Sequence, residues 1–375
     1  MTSITSTNAI EEETYDDYVA EEFYPAHIGE VIKSPKAEYE IIGKLGEKTF
    51  STLKITISHP PTTTNREADI YTRIQSLSSA HEGKGYVREL QEAFEIQGPD
   101  GRHWCLVHAP LGVSLQEWQR GCEGGRLRGE VLRGVVRCLL VALEFLHEEA
   151  GVVHTDIQAA NILLTLPTTT PIHTFLAAEQ SHPSPHKKVN PHRTIYRSRR
   201  LSVALNPPPG VPTLTDFGNA VRDAHRPHAG LIQPLMCRAP EVILRMPWDE
   251  RADVWNLGVL MWQLRFNEHL FDGVTEGEQL RYMIASLGPP PKEFVLKGRL
   301  GVREVYFDDD GVWKGAPVKP SPIGGSLEGE EEEFLDLLKE MVRWVPEERK
   351  SARELLEHPW LASGTDGGDE EVGKQ

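Results

Sequence analysis

The stretch VVHTDIQAANILL, residues 152–164, holds an aspartate and an asparagine at a fixed spacing, followed by apolar positions. Phosphoryl transfer uses an aspartate to orient the attacking hydroxyl, and an asparagine with a second aspartate to hold magnesium. Asp156 and Asn161 stand five positions apart, the interval between base and metal ligand in that chemistry. The stretch is therefore a candidate catalytic loop, and NILL is a candidate for the strand that buries its stem.

The remaining groups that this chemistry needs also have candidates. In LTDFGNA, Asp216 is the candidate second magnesium ligand, with Phe217 as the packing residue beside it. Lys54, in LKI, is the candidate for the lysine that grips the nucleotide phosphates, and Glu67, in NREADIY, is its helical partner. The alternative for this pair is a surface lysine on a truncated sheet and an ordinary exposed acid.

Two later motifs follow in the order that such an enzyme requires. CRAPEVIL places Glu241 at the end of the segment after Asp216, and ADVWNLGVLMWQL supplies Asp253 on a predicted buried helix. His154 is interpreted as a residue that braces the loop and not as a base. The ordered occurrence of these signals argues against coincidence.

Hydrophobic patterning predicts the elements that position these residues. YEIIGKLGEKTFSTLKITI is rich in β-branched residues around a glycine, which indicates strands joined by a turn. NREADIYTRIQSL has Ile70, Ile74 and Leu77 at helical spacing, and HWCLVHAPLG predicts a buried strand that runs into a connector. GEVLRGVVRCLLVALEFLHEEAG predicts a helix that stops at Gly151. The pattern indicates a small strand-containing lobe followed by a larger helical one.

Over about residues 23–361 these motifs resemble eukaryotic protein kinases of the CMGC group, most closely the SR-protein kinases and their fungal relatives. HTD, DFGNA and a spacer between them are typical of that family. SLGPPPKEFVLKGRL is similar to the CMGC insert, and the C-terminal FLDLLKEMVRWVPEERKSARELLEHPWL is similar to the family's end, where Arg349 should pair with Glu241. The resemblance implies an α+β, bilobal protein-kinase fold with a small, shortened, β-rich N-lobe and a larger helical C-lobe.

The resemblance also implies an activity and its cofactors. These are an ATP-dependent serine/threonine protein kinase that uses Mg²⁺ and acts on serines of basic Arg/Ser-rich proteins in mRNA processing. His108 would be the gatekeeper, and burial alone would also explain His108 and the connector after it. The implied site residues are Asp156, Gln158 and Asn161 for catalysis, Gly46, Lys54, Glu67, Ala109 and Leu111 for the nucleotide, and Asn161 and Asp216 for the metal.

The sequence departs from the family pattern at four places; Cys237 bears on substrate selection, and the other three leave a second function open. Gln158 replaces the catalytic-loop lysine, Lys48 replaces a glycine of the loop LGEKTFST, and Cys237 replaces the tyrosine before RAPE. Between Phe50 and the first helix only FSTLKITISHPPTTTN remains, as though a hairpin were deleted. A neutral amide at Gln158 supplies no charge to the transferred phosphoryl group, a loss of about 2–4 kcal/mol by analogy with oxyanion donors. The alternative is therefore a pseudokinase that acts as a binding module.

The predicted organisation is a disordered acidic tail at 1–22, an N-lobe at 23–108, a C-lobe at 109–361 and a disordered tail at 362–375. A spacer at about 166–212 is predicted to lack regular structure, because it is rich in proline, threonine, serine and histidine. HRTIYRSRRLS within it is a basic island in an acidic chain. It is interpreted as a solvated loop, with an intramolecular contact or a phosphorylation site as the alternative.

Composition excludes several classes of protein. The net charge of -16 disfavours direct binding to nucleic acid and favours a basic partner, although an acidic surface also serves solubility alone. No apolar run approaches the roughly 20 residues of a membrane span, and the acidic N-terminus lacks a secretory pattern. The four cysteines are scattered without a CxxC pair, which indicates reduced thiols. We expect a monomer in the cytoplasm and nucleus.

Overall fold

The structure, a computed structural model, describes residues 9–44, 53–60, 64–201, 210–321, 323 and 330–362. Gly46 and Lys48 of the predicted glycine-rich loop lie outside the described residues, as does 363–375 of the predicted C-terminal tail.

The N-lobe consists of two small sheets and one helix. Its elements are β1 (Val31–Lys33), β2 (Glu38–Glu40), β3 (Leu53–Ile55), α1 (Arg66–Gln75), β4 (Leu90–Gln97) and β5 (Arg102–His108). Strands β1 and β2 form an antiparallel ribbon, and the second sheet has the antiparallel order β3-β5-β4. Helix α1 begins after Asn65, whose side chain accepts a hydrogen bond from the Ala68 amide at 2.9 Å.

The register of the three-stranded sheet fixes the direction of Lys54. Phe94, Cys105 and Val107 pack against Ile32 of the ribbon in a small separate core. Leu106 points to the opposite face, because successive residues of a strand alternate, and it joins the main core with α1. Lys54 lies directly opposite Leu106 in the β3–β5 pairing, so both side chains share the face that looks toward α1.

The C-lobe is mainly helical and surrounds one buried helix, α6. Its elements are α2 (Leu115–Gly121), α3 (Gly129–Glu144), β6 (Val152–Val153), β7 (Ile162–Leu164), α4 (Thr170–Ser181), β8 (His186–Asn190), β9 (Arg193–Tyr196), β10 (Pro212–Leu214), β11 (Val221–Arg222), α5 (Pro240–Ile243), α6 (Arg251–Phe266), α7 (Glu276–Leu287), α8 (Lys292–Lys297), α9 (Leu300–Tyr306), α10 (Glu330–Met341), α11 (Ala352–Leu356) and α12 (Pro359–Ala362). None of the helices in the described part of the chain is long and apolar enough to cross a bilayer.

The predicted α+β bilobal architecture is confirmed. Helix α6 is the predicted buried helix ADVWNLGVLMWQL, and it is buried from Ala252 to Met261 without a solvent-facing stripe. A helix that is apolar around most of its circumference belongs in a core, which explains its central place. Two short antiparallel pairs, β7 with β10 and β6 with β11, lie between α6 and the N-lobe and hold the predicted catalytic loop.

The prediction that the spacer lacks regular structure is wrong for its described residues, 166–201 and 210–212. They contain α4 and the antiparallel hairpin β8–β9. Phe175 and Leu201 are buried against Leu166 and Leu176, so the segment has an apolar cluster of its own. The apolar residues of this cluster are few and are spread over the segment, so the sequence shows no sustained hydrophobic period there. Only the folded chain brings them together.

The predicted disorder of 1–22 is likewise wrong for residues 9–22. They form short 3-10 turns at Glu11–Thr14 and Ala20–Glu22, with Ile10 buried. Acidic composition predicts disorder when charges repel one another. Here Glu13 pairs with Lys187 Nζ at 2.8 Å and Glu12 with Lys44 Nζ at 2.6 Å, so basic residues from elsewhere in the chain neutralise two of its acidic side chains.

The predicted pair between Glu241 and Arg349 is present and completely buried. Both guanidinium nitrogens Nη1 and Nη2 donate to the carboxylate at 2.7 Å, and the two side chains are 1% and 0% exposed. The guanidinium also lies 4.9 Å from the centre of the Trp255 ring of α6. The pair therefore ties the segment that begins α5 to the chain before α11 and to the core.

We expect Arg349→Met to lower the free energy of unfolding by about 3–5 kcal/mol, because Glu241 would keep a buried charge without its partner. The matched control is Arg353→Met, since Arg353 bonds Glu144 at 2.8 Å with a side chain that is 62% exposed. This control should leave the urea midpoint unchanged. Equal losses in both variants, measured by urea unfolding, would contradict the assigned importance of the buried pair.

Candidate active site

The loop between β6 and β7 is held from below by the Asp253 carboxylate of α6. Asp253 is fully buried and accepts hydrogen bonds from the His154 amide at 2.7 Å and the Thr155 amide at 2.8 Å. The buried His147 ring contacts the same carboxylate at 3.0 Å. A buried carboxylate is stable only when its oxygens are bonded, and here the donors come from the loop itself. The helix therefore fixes the backbone on which Asp156 stands.

The His154 ring braces the loop, in agreement with its sequence interpretation. Its Nδ1 accepts a hydrogen bond from the Asp156 amide at 3.2 Å, so the ring proton resides on Nε2. Nε2 then donates to the Thr215 carbonyl at 3.0 Å. Both nitrogens are committed to the backbone, which leaves His154 no role as a proton acceptor for a substrate.

The Asp156 carboxylate lies at the centre of a small amide cluster. Gln158 Nε2 donates to its two oxygens at 2.9 and 3.1 Å, and Asn161 Nδ2 donates to Oδ2 at 2.9 Å. Two neutral donors thus orient the carboxylate. Gln158, which replaces a lysine of the family pattern, therefore binds the aspartate directly and holds it in place.

The Lys54 ammonium is bonded to two carboxylates, those of Glu67 and Asp216. Its Nζ lies 2.8 Å from Glu67 Oε2 and 3.0 Å from Asp216 Oδ1. The sequence prediction of a pair between Lys54 and Glu67 is thus realised on the shortened sheet. The alternative of a surface lysine beside an exposed acid is wrong, because the Glu67 side chain is 7% exposed.

Two opposing effects set the charge of Lys54. Burial lowers the pKa of its ammonium group, but the negative charges of Glu67 and Asp216 and their hydrogen bonds outweigh burial, so the pKa is raised above its usual value. Lys54 therefore remains a cation that can contact phosphate oxygens, and it cannot act as a base near neutral pH.

A row of aromatic contacts connects α1 to the residues around Asp216. The Tyr71 ring packs edge-on against Phe217 at 5.2 Å and against His108 at 5.0 Å, and Phe217 packs against His154 at 4.9 Å. All four rings are buried. The row holds Glu67 at its distance from Lys54, because Tyr71 lies one helical turn after Glu67 on the same face of α1.

Hydrogen bonds from several elements hold the segment after Asp216. Thr155, which has a positive φ of 70°, donates through Oγ1 to the Asn219 carbonyl at 3.0 Å. Arg222 of β11 donates through Nη2 to the Asp69 carbonyl in α1 at 2.9 Å. Farther along, burial raises the pKa of the Cys237 thiol to about 11, so this residue is neutral. No phosphate is needed for any of these contacts.

The connector between the lobes follows β5. His108 is buried, and burial with the nearby Arg88 charge lowers the pKa of its imidazole to about 3, so the ring is neutral. Its Nδ1 contacts the Glu89 carbonyl at 2.9 Å. Ala109 is exposed and Leu111 is buried, and within the described residues no hydrogen bond occupies their backbone groups. These backbone groups can therefore form hydrogen bonds with an adenine ring, which is the role that the sequence predicts for them.

The donor set fits magnesium together with a nucleotide. Asp216 is 38% exposed and offers carboxylate oxygens, and the Asn161 amide nitrogen is committed to Asp156, so its amide oxygen is the group that could bind metal. Magnesium prefers such oxygen ligands and usually adds substrate phosphates to one or two protein ligands. The described residues contain no cluster of three or more His, Cys, Asp or Glu side chains that could hold a metal alone.

Sequence reasoning missed three residues that position this site. His147 lies in the predicted helix FLHEEAG, and its helical position before HTD was the available signal. Tyr71 was detectable as the residue four positions after Glu67. The Arg222 contact to α1 had no local signal, because its acceptor is a backbone carbonyl 153 residues away.

Comparisons with known proteins agree with this geometry. The protein kinase domain family matches residues 203–361. A serine/threonine protein kinase of Aspergillus fumigatus is 37% identical over 96% of this chain and 92% of its own length. Serine/threonine-protein kinase SRPK of Physarum polycephalum is 27% identical over 94% of this chain and 92% of its length, and serine/threonine-protein kinase AFC3 of Arabidopsis thaliana is 26% identical over 87% and 82%.

The first of these relatives is similar over nearly the whole of both chains, and the residues that carry the predicted motifs converge on one cleft. The chain therefore belongs to the protein kinases, as a serine/threonine kinase related to the SRPK and AFC kinases.

Proposed function

We propose that this kinase transfers the γ-phosphate of ATP to serines of Arg/Ser-rich proteins that act in mRNA processing. The observation that carries the proposal is the joint presence of the oriented Asp156 carboxylate and the Lys54 ammonium paired with Glu67 and Asp216. In this proposal Asp156 orients the serine hydroxyl and accepts its proton. Asn161 and Asp216 hold the magnesium that neutralises charge on the transferred phosphoryl group.

Similarity and charge support the substrate class. The relatives include an SRPK and an AFC kinase, and the chain carries a net charge of -16. Carboxylates on the large lobe can hold arginine side chains by charge-assisted hydrogen bonds. With such substrates we propose a monomer, present in cytoplasm and nucleus, that binds protein and not nucleic acid directly.

A pseudokinase is the second candidate, and Gln158 is the observation that favours it. The Gln158 amide occupies both oxygens of Asp156 and brings no positive charge to the phosphoryl group. Against it stands the Lys54 ammonium between Glu67 and Asp216, which is the arrangement that phosphoryl transfer uses. We therefore propose a slowed enzyme, and the assays below separate the two functions.

The first assay uses purified protein with Mg²⁺, ATP and either an Arg/Ser-rich or an acidic serine peptide at low salt. The Arg/Ser peptide should be preferred by about tenfold or more, since one charge-assisted hydrogen bond suffices for that ratio. Added salt should weaken the preference. Asp156→Asn is the control for contaminating kinases. Equal rates on both peptides would contradict the substrate class, and no rate above the control would favour the pseudokinase.

The second assay concerns regulation by phosphate. Between DFGNA and RAPE the chain contains no serine, threonine or tyrosine, and Arg222 and Thr155 already hold this segment. We expect kcat at saturating ATP to be unchanged after treatment with a protein phosphatase, because no phosphate orders the segment. A kcat that collapses on dephosphorylation and recovers on rephosphorylation would show this expectation to be wrong.

The third assay tests Lys54 as the phosphate contact. Millimolar Mg²⁺ and ATP should raise the melting temperature of the wild type by a few degrees, by mass action. Lys54→Met keeps the side-chain length and removes the charge, so the nucleotide-induced shift should shrink or vanish. The control is Lys33→Met, because Lys33 is an N-lobe lysine whose side chain is 76% exposed. An undiminished shift in Lys54→Met would exclude Lys54 as the phosphate ligand.

A further inference from the structure

The inserted segment crosses from the C-lobe to the N-lobe. It leaves the C-lobe after β7, and its helix α4 packs on the chain that follows β2. The contact is close at Gly43, where an added Cβ would lie 2.9 Å from the Phe175 ring. Beside it the Arg199 amide donates to the Lys44 carbonyl at 3.0 Å. The insertion therefore touches both residues that immediately precede LGEKTFST.

The acidic segment before the N-lobe joins this contact. Glu13 bonds Lys187 Nζ of β8 at 2.8 Å, and Glu12 bonds Lys44 Nζ at 2.6 Å. Glu11 accepts a hydrogen bond from the Ser198 amide at 2.9 Å and one from the Ser198 hydroxyl at 2.8 Å. We call these contacts of Glu11, Glu12 and Glu13 with Ser198, Lys44 and Lys187 the latch.

Ser198 contributes a hydroxyl group to the latch, and a hydroxyl is the group that a protein kinase can phosphorylate. It stands in YRSRRLS, the one place in the chain where a serine has arginine on both sides. The side chains of Arg197 and Arg200 are exposed, and Ser198 itself is half-buried. The stretch has the composition of the proposed substrates. It is therefore a basic serine peptide presented at the surface of an acidic kinase.

We propose that Ser198 is phosphorylated by the active site of a second copy of this chain, and that its phosphate opens the latch. This inference rests on the proposed function. In the reaction the Ser198 Oγ forms a bond to the γ-phosphorus of ATP as the bond from that phosphorus to the β,γ-bridging oxygen breaks. ADP leaves, and the hydroxyl proton passes to the Asp156 carboxylate of the second copy.

The local charges explain why a phosphate would release the acidic segment. The Ser198 hydroxyl is a donor to Glu11, whereas a phosphate at neutral pH has only acceptor oxygens and about -1.5 to -2 charges. The guanidinium of Arg199, the residue after Ser198, is already bonded to Glu179 and to the His182 carbonyl. Phosphorylation therefore replaces one hydrogen bond by repulsion between two anions.

Opening of the latch should weaken the binding of ATP. Lys44 holds Glu12 through its side chain and Arg199 through its carbonyl, and it is covalently joined to the predicted glycine-rich loop. When the latch opens, Lys44, the residue just before that loop, loses its ion pair with Glu12. The expected result is a several-fold higher KM for ATP with little change in kcat, since Asp156 and Lys54 are not part of the latch.

The first test mixes catalytic amounts of wild-type kinase with the Asp156→Asn protein as substrate, in Mg²⁺ and ATP, and maps phosphate by mass spectrometry. Ser198 should be modified, and Ser181, an exposed serine of α4 without neighbouring arginine, should not. An Arg/Ser peptide in the same tube reports activity. A phosphorylated peptide with unmodified Ser198 would overturn this inference alone, and no phosphate on either would overturn the proposed function as well.

The second test examines the latch without any kinase reaction. In Ser198→Glu, hydrogen exchange of residues 9–22 should become faster and the KM for ATP should rise. Glu11→Lys alone should also loosen the segment, and combining it with Ser198→Glu should restore protection, because opposite charges then face each other again. Additive loosening in the double variant, or exchange of 9–22 unaffected by Ser198→Glu, would overturn the latch.

Discussion

The Lys54 ammonium lies between two carboxylates that are 13 and 162 residues away in the chain. Strand β3, helix α1 and the segment after β10 must all be in place for this one cation to be satisfied. Without β3 the two carboxylates would lose the cation between them, and without α1 or the segment after β10 Lys54 would keep only one of its two carboxylate partners. The ion triad thus makes the alignment of the two lobes a requirement of electrostatics as well as of packing.

A strand as short as β3 can carry this lysine because the neighbouring strand supplies its position. Leu53, Lys54 and Ile55 pair with β5 in register, and the alternation of side chains turns Lys54 toward α1. Tyr71 and Phe217 then keep α1 at a fixed distance. The shortened sheet therefore retains the pairing that a longer sheet would provide, although β3 is an outer strand among the described residues.

The substitutions in the catalytic loop have structural roles of their own. Thr155, the threonine of the HTD that is typical of the SR-protein kinases, stands where most protein kinases have arginine, and its hydroxyl bonds the backbone of the segment after Asp216. Gln158 stands where they have lysine, and its amide holds Asp156. A short neutral side chain in each place binds the protein itself. Because it is neutral, Thr155 cannot bind a regulatory phosphate by charge, and Gln158 cannot supply positive charge to the transferred phosphoryl group.

The sequence alone determined the order of the motifs, and with it the kinase fold, the pairing of Glu241 with Arg349 and the candidate ligands Asn161 and Asp216. The motif order and the candidate ligands follow from local spacing and from residue chemistry that only a few side chains can perform, whereas the pairing of Glu241 with Arg349 followed from the resemblance to protein kinases. The assignment of Lys54 left an alternative open, because a lysine before a helix does not reveal which face of a sheet it occupies; the β3–β5 register decided it.

Only the tertiary structure decided how the acidic segment 9–22 and the inserted segment 166–201 fold. Each is poor in apolar residues and, read alone, satisfies the criteria for disorder. Their charges have opposite sign, and Glu13 meets Lys187 across 174 residues of sequence. Composition records how many charges a segment has, whereas their neutralisation depends on which distant segment lies beside it, and that information exists only in three dimensions.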